Sequence, residues 1–111
     1  MKNLQDYSTE LYKNKNLPRK LSSLYVDLAA RYSYLAEEKK GLRILKARFF
    51  DSNKYEDGKP IAVVKLEMKW LLTPDGERYD SIKIDMDAVK ELMGAIKSIS
   101  ITTHHEIKNE L

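Results

Sequence analysis

Five basic side chains lie close together in the middle of the chain, and no acidic residue separates them within positions 39–48. On a helix, Lys39, Arg43 and Lys46 are spaced by four and three residues, so they would share one face. Such a stripe can follow a line of phosphate groups, and an aromatic ring beside it can stack on an unpaired base. The five residues are Lys39, Lys40, Arg43, Lys46 and Arg48.

The two phenylalanines that follow the basic cluster have different expected roles. Phe49 continues a series of apolar residues spaced by seven, so we expect it in the core. Phe50 stands outside that series and is the better candidate for stacking on a base, with Tyr55 in the loop beyond it. We therefore predict a nucleic-acid-binding surface formed by Lys39, Lys40, Arg43, Lys46, Arg48, Phe50, Lys54 and Tyr55.

Length and composition indicate one small domain with a modest core. The chain has 111 residues, of which 42% are hydrophobic and 33% charged, which is typical of neither a disordered nor a membrane-spanning chain. It contains no cysteine, which excludes disulfides and thiolate metal ligands and fits a reducing compartment. The net charge of +3 is only mildly basic, so the local cluster carries more information than the total.

We find no arrangement of residues that would support catalysis. His104 and His105 are adjacent, so on a helix they point about 100° apart and are poorly placed to bind one metal ion. Asp85 and Asp87 flank Met86 and would straddle a helix face rather than form a pair of acids. The four glycines are scattered and form no phosphate-binding loop. We expect no enzymatic activity and no cofactor or metal.

The first half of the chain predicts a long helix over residues 18–50. Pro18 suits the first turn of a helix, and the apolar positions then recur every seven residues. Residues 1–16 are predicted to form a short helical or flexible lead, and residues 51–60 a loop. The apolar series consists of Leu21, Leu28, Leu35, Leu42 and Phe49.

The second half of the chain has two interpretations. Alternating apolar residues around the sequence TPDG favour a β-hairpin at about 61–86, which would make the fold α+β. The spacing of three and four from Tyr79 to Ile107 favours helices over 61–72 and 74–108, with Thr73 as cap and Pro74 in the first turn. We predict the helices, and hence an all-α fold in which long helices form an antiparallel hairpin.

The apolar stripe of the last helix is predicted to mediate self-association. Two long apolar seams in so short a chain would leave surface for a second copy. The alternative is that the stripe packs only on the first long helix. The predicted oligomer contact consists of Met86, Val89, Met93, Ile96, Thr103 and Ile107.

Several short segments follow one another in a recognisable order. These are Leu45-Lys46-Ala47-Arg48, the aromatic pair Phe49-Phe50, a polar loop containing glycine, Glu67-Met68-Lys69, and Ala95-Ile96-Lys97-Ser98. In this order the chain resembles the UvsY-like recombination mediator proteins of T-even-type bacteriophages, over roughly residues 35–108. It departs from the family in its Phe-Phe pair, where tyrosines are more usual, and in its ending without an aromatic tail.

The resemblance implies an oligomeric helical protein that binds single-stranded DNA without sequence specificity. It also implies DNA contacts by Lys46 and Arg48 and assembly through the C-terminal helix. Family members help to load a RecA-like phage recombinase onto strands covered by single-strand DNA binding protein. The implied location is the cytoplasm of the infected bacterial host. The alternative function is that of a small helical phage protein, an inhibitor or scaffold, whose basic stripe meets an acidic protein target.

Overall fold

A computed structural model describes the backbone of residues 3–110 and the side chains of residues 3–100. Within this range the elements are the helices α1 (Leu4–Lys13), α2 (Pro18–Asn53), α3 (Val63–Leu71) and α4 (Pro74–Glu110), and the strands β1 (Tyr55–Glu56) and β2 (Lys59–Pro60). The predicted all-α fold is confirmed. The alternative β-hairpin at 61–86 is wrong, because these residues form α3 and the start of α4.

The chain divides into two compact units, and both long helices contribute to each unit. One unit comprises residues 1–34 and 86–111, and the other comprises residues 35–85. In the first unit, Ser22 of α2 and Ser100 of α4 line the same shallow groove. In the second unit, Glu38 of α2 contacts Arg78 of α4. The positions rise along α2 as they fall along α4, so the two helices run antiparallel, as predicted.

In the first unit, the predicted lead segment is a helix with a buried face. Asn3 and Asp6 form a capping box, in which the Asp6 N–H donates to Asn3 Oδ1 at 2.8 Å. Tyr7 and Leu11 of α1 are buried, and α1 lines a groove together with Leu92 of α4. Burial of this apolar face stabilises the short helix, which would be marginal alone.

The apolar series of α2 lies in the core of each unit. Leu21, Leu24 and Leu28 are buried in the first unit, and Leu35 and Leu42 are buried in the second. The helix begins with Pro18 in its first turn, as predicted, and extends to Asn53, beyond the predicted end at 50. The side-chain amide of Asn53 donates to the carbonyl oxygen of Phe49, which satisfies a carbonyl in the last turn.

A two-residue hairpin replaces part of the loop predicted at 51–60. Glu56 pairs with Lys59 across the turn, and Asp57 and Gly58 both have positive φ, at 52° and 77°. This is the type I′ geometry that an Asp-Gly pair favours. The Asp57-Gly58 pair was therefore a local signal for a hairpin. Only a loop was predicted at these positions.

The turn between α3 and α4 is built on Thr73 and Gly76. Thr73 Oγ1 accepts a hydrogen bond from the Gly76 N–H at 3.0 Å, which confirms the predicted helix cap. The same hydroxyl donates to the carbonyl oxygen of Trp70 at 2.6 Å. A Cβ on Gly76 would overlap this carbonyl group. The turn therefore depends on a glycine, although the position lies inside α4.

Three of the six residues of the predicted oligomer stripe are buried within the chain itself, so they contribute to its core. Met86, Val89 and Ile96 have 9%, 0% and 3% of their surface exposed, and Met93 is half-buried. A repeat of seven residues identifies a buried seam but not the chain that covers it. Thr103 and Ile107 lie in the part of α4 whose side chains are not described.

Among the described residues, none of the helices combines the length and the apolar character that crossing a membrane requires.

Candidate nucleic-acid interface

One face of α2, in the unit of residues 35–85, carries three cations and an aromatic ring. Lys39, Arg43, Lys46 and Phe50 are spaced by four, three and four residues, so they share one side of the helix. We call these four residues the basic face. Arg43 is exposed, whereas Lys39, Lys46 and Phe50 are half-buried. The ring and the three charges therefore lie along one side of α2, with Lys46 nearest to the ring.

Lys46 is held by residues of three helices. Its Nζ lies 3.1 Å from a carboxylate oxygen of Glu67 on α3. The same Nζ lies 5.5 Å from the ring centre of Phe50 and 5.5 Å from that of Tyr79 on α4. Both distances are within the range of cation–π attraction. Lys46 therefore has protein partners already, and Glu67 offsets its charge.

Arg48 does not belong to the basic face. It lies two residues from both Lys46 and Phe50, which is a rotation of about 200° around the helix. Arg48 is exposed, so it is free to meet solvent or a partner on another side of α2. A strand that follows the basic face would not reach Arg48. Lys46 and Arg48, for which the resemblance implies DNA contacts, therefore lie on different sides of α2.

The remaining predicted residues lie at the margins of the basic face. Lys40 is exposed and adjacent to Lys39, three residues before Arg43. Lys54 follows the end of α2, where its Nζ contacts Asp51 at 3.0 Å and lies 6.0 Å from the Tyr55 ring centre. The hydrogen bond from Lys54 to Asp51 raises the lysine pKa, so its charge is retained but already paired. Tyr55 itself is 63% exposed.

An aromatic cluster fixes the end of the basic face against α3 and α4. The Phe49 ring lies 5.6 Å from the Trp70 ring, and Trp70 lies 6.4 Å from Tyr79 in an edge-on arrangement. Trp70 is 2% exposed, so the cluster belongs to the core of this unit. Such ring pairs contribute stabilisation beyond the area that they bury. The partly exposed Phe50 and Tyr79 therefore pack against the rings of this cluster.

Free positive charge is concentrated on α2, because cations elsewhere in this unit are largely paired. Glu56 contacts Lys65 at 2.8 Å and Lys69 at 3.9 Å. The Lys65 hydrogen bond, together with both lysine charges, lowers the pKa of Glu56. Among the described residues, the side chains of Lys39, Lys40, Arg43 and Arg48 form no ion pair or hydrogen bond with the protein.

Sequence reasoning missed three residues that the fold brings to this surface. Glu67 pairs with Lys46, Tyr79 contacts it, and Lys83 lies with its Nζ 5.4 Å from the Tyr79 ring centre. The spacing of Tyr79 and Lys83 by four residues is a sequence signal, not used above, that they are neighbours on a helix. No local signal indicated that their side of α4 would meet the basic side of α2.

Within the described residues, no group of three or more histidine, aspartate or glutamate side chains is arranged to hold a metal ion. His104 and His105 lie outside the described side chains. The cationic and aromatic side chains on α2 are suited to binding anions.

Comparison with known proteins gives no family assignment. No protein-family model, curated protein or solved structure matches the chain.

Proposed function

We propose that this protein binds single-stranded DNA without sequence preference through the basic face of α2. The observation that carries the proposal is that unpaired Lys39 and Arg43 share one side of α2 with the half-buried ring of Phe50. Cations next to aromatic rings are the usual elements of surfaces that hold single strands, because phosphates meet the charges and bases stack on the rings.

A single strand fits this surface better than a duplex. The bases of a duplex are stacked on each other and have no free ring face to offer. The exposed Tyr55 and the half-buried Phe50 can stack on unpaired bases, each of which would contribute about 1–3 kcal/mol on stacking. Phosphate contacts and stacking do not depend on the identity of the base, which favours binding without sequence preference.

We further propose that the protein acts as a recombination mediator that self-associates. Several copies would hold one strand by many weak, salt-sensitive contacts, which raises the overall affinity through avidity. The strand could then pass from single-strand DNA binding protein to a RecA-like recombinase. This part of the proposal rests on the resemblance to the phage mediator family. It would place the protein in the cytoplasm of an infected bacterial cell.

The experiment that tests DNA binding is a titration of fluorescently labelled oligothymidylate, read by fluorescence anisotropy at low salt. The wild type is compared with the double variant Lys39→Ala/Arg43→Ala. The matched control is Arg19→Ala/Lys20→Ala, which removes one arginine and one lysine from exposed positions of α2 in the other unit. Circular dichroism shows whether each variant retains its helices.

The proposal predicts tight binding by the wild type and its control, and at least tenfold weaker binding by Lys39→Ala/Arg43→Ala. No binding by the wild type at low salt would refute DNA binding altogether. Equal losses in the two double variants would mean that only net charge matters and that the basic face has no special role.

A protein target is the second candidate function, and the exposed side of α3 favours it. Val64, Met68 and Leu71 follow steps of four and three, on the side of α3 away from the buried Leu66 and Trp70. We call them, with the adjacent Leu72, the outer face of α3. Leu72 is 87% exposed and Val64 72%. Exposed apolar clusters often mark sites of protein interaction.

The substitution Met68→Lys separates the two candidates. It places a charge at the centre of the outer face of α3, at a side chain that is 63% exposed and therefore not needed for folding. The DNA-binding proposal predicts that affinity for oligothymidylate is unchanged or slightly raised. If the protein is instead an inhibitor or scaffold that binds its target through this face, Met68→Lys should abolish binding of that protein target.

A further inference from the structure

The cluster around Tyr79 contains two lysines that differ in their availability. Lys46 of α2 and Lys83 of α4 lie with their Nζ atoms 5.5 Å and 5.4 Å from the same ring centre. Glu67 contacts Lys46 at 3.1 Å, so the charge of that lysine is offset. Among the described residues, Lys83 forms no ion pair or hydrogen bond. The uncompensated charge of the cluster is therefore that of Lys83.

The acidic neighbours of Lys83 do not remove this charge. Asp80 and Asp87 lie three residues before and four residues after it on α4, which are spacings that allow ion pairs on a helix. Neither carboxylate lies within ion-pair distance of Lys83, and both are exposed to water. Instead, the Lys83 stem extends so that its ammonium group lies by the Tyr79 ring.

We infer that Lys83 is a phosphate-binding residue of this surface and that Tyr79 positions it beside the basic face. The inference rests on the proposed function and extends it, because it adds α4 as a second wall of the DNA-binding surface. Lys83 makes the phosphate contact that was predicted for Lys46 from the sequence. Lys46 serves mainly to hold α2, α3 and α4 together through Glu67, Phe50 and Tyr79.

The inference orders the effects of single lysine substitutions in the anisotropy titration with oligothymidylate at low salt. Lys83→Ala should weaken binding roughly fivefold or more and reduce the salt slope by about 0.7, which corresponds to one phosphate contact on a single strand. Lys46→Ala should have the smaller effect on affinity. Lys83→Arg should bind as the wild type does, because it keeps the charge. The control for net charge is Lys20→Ala, an exposed lysine of α2 in the other unit.

The possible outcomes separate this inference from the proposed function. If Lys83→Ala binds like Lys20→Ala while Lys39→Ala/Arg43→Ala loses affinity, the role of Lys83 is refuted and DNA binding stands. A larger loss in Lys46→Ala than in Lys83→Ala, with unchanged circular dichroism, would also refute it. If the wild type does not bind oligothymidylate, both the proposed function and the role of Lys83 are refuted.

Discussion

At the scale of single residues, the cations of this surface differ in their protein partners. Glu67 contacts Lys46 at 3.1 Å. Among the described residues, Lys39, Arg43 and Lys83 form no ion pair. The pattern in residues 39–48 is visible without a structure, and its spacing of four and three correctly places Lys39, Arg43 and Lys46 on one side of a helix. It does not reveal that Glu67, on another helix, forms an ion pair with Lys46. It also does not reveal Lys83, since ion pairs between distant positions depend on the tertiary fold.

Glu67 is expected to oppose DNA binding, because its carboxylate competes with phosphate for Lys46. Replacement by the neutral isostere in Glu67→Gln should free Lys46 and remove a negative charge from the surface. We expect a roughly threefold to tenfold gain in affinity for oligothymidylate, with a steeper salt dependence. Anisotropy titration measures both quantities. Asp75→Asn, in which an exposed acid of the same unit loses its charge, is the control. An equal gain in the control would show a general charge effect instead.

Gly76 is a position where the usual preference of helices for alanine is reversed. In an ordinary helix interior, replacing glycine by alanine stabilises by up to about 1 kcal/mol. At Gly76, the added methyl group would collide with the carbonyl group of Trp70. We expect Gly76→Ala to lower the free energy of unfolding by about 1–3 kcal/mol, as measured by urea denaturation.

The matched control for Gly76 lies in the same helix. A Cβ on Gly94 of α4 would meet no atom within 4 Å. Gly94→Ala should therefore stabilise the protein or leave its stability unchanged. If Gly76→Ala is as stable as Gly94→Ala, the close approach to Trp70 does not constrain the turn.

At the scale of elements, the sequence predicted the helices well and the short connections poorly. Helix α2 was predicted because its leucines repeat every seven residues, and α4 because Thr73 and Pro74 form a start signal. The end of α2 was placed three residues early, since the polar residues 51–53 resemble a loop. The β-hairpin was missed because two-residue strands have no periodicity to detect.

The two long helices are joined in the second unit by a bidentate ion pair. Arg78 donates from Nε and Nη2 to the two carboxylate oxygens of Glu38, each at 2.8 Å. The Arg78 hydrogen bond lowers the pKa of Glu38 from its ordinary value of 4.5, although partial burial opposes the shift. A carboxylate with a lowered pKa stabilises the fold above its ordinary pKa and loses this effect as pH falls through the lowered value.

The substitution Glu38→Gln tests this ion pair through its pH dependence. At pH 7 the variant should be less stable than the wild type by about 0.5–1 kcal/mol, a modest amount because both side chains are partly screened by water. The difference should shrink as pH falls below the ordinary pKa of glutamate, when the wild-type carboxylate also becomes neutral. Urea denaturation at neutral and acidic pH measures it. A difference that persists unchanged in acid would show that the ion pair is not its source.

At the scale of the whole molecule, part of the stripe of α4 that was predicted to join copies is buried within one chain. Met86, Val89 and Ile96 form part of the core of the chain, so they serve folding first. Sequence periodicity could not distinguish a seam within one chain from a seam between copies, because both bury the same side chains. The outer face of α3 is a further apolar surface through which intact chains could assemble.

Val89→Ala separates the two roles of this stripe. Val89 is 0% exposed, so removing two methyl groups should reduce the free energy of unfolding by roughly 2 kcal/mol. Well below the melting temperature, however, the mass in solution should equal that of the wild type in analytical ultracentrifugation. If the wild type is an oligomer and Val89→Ala is a smaller species with intact helices, Val89 contributes to a contact between copies.

The central claim is that the chain binds single strands through several phosphate contacts, and the salt dependence of wild-type affinity tests it most directly. Affinity for oligothymidylate is measured by anisotropy over a series of sodium chloride concentrations. Contacts by Lys39, Arg43 and Lys83 in each copy predict a slope of log affinity against log salt of about −2 or steeper. An affinity that does not change with salt, or no affinity at the lowest salt, would contradict the claim.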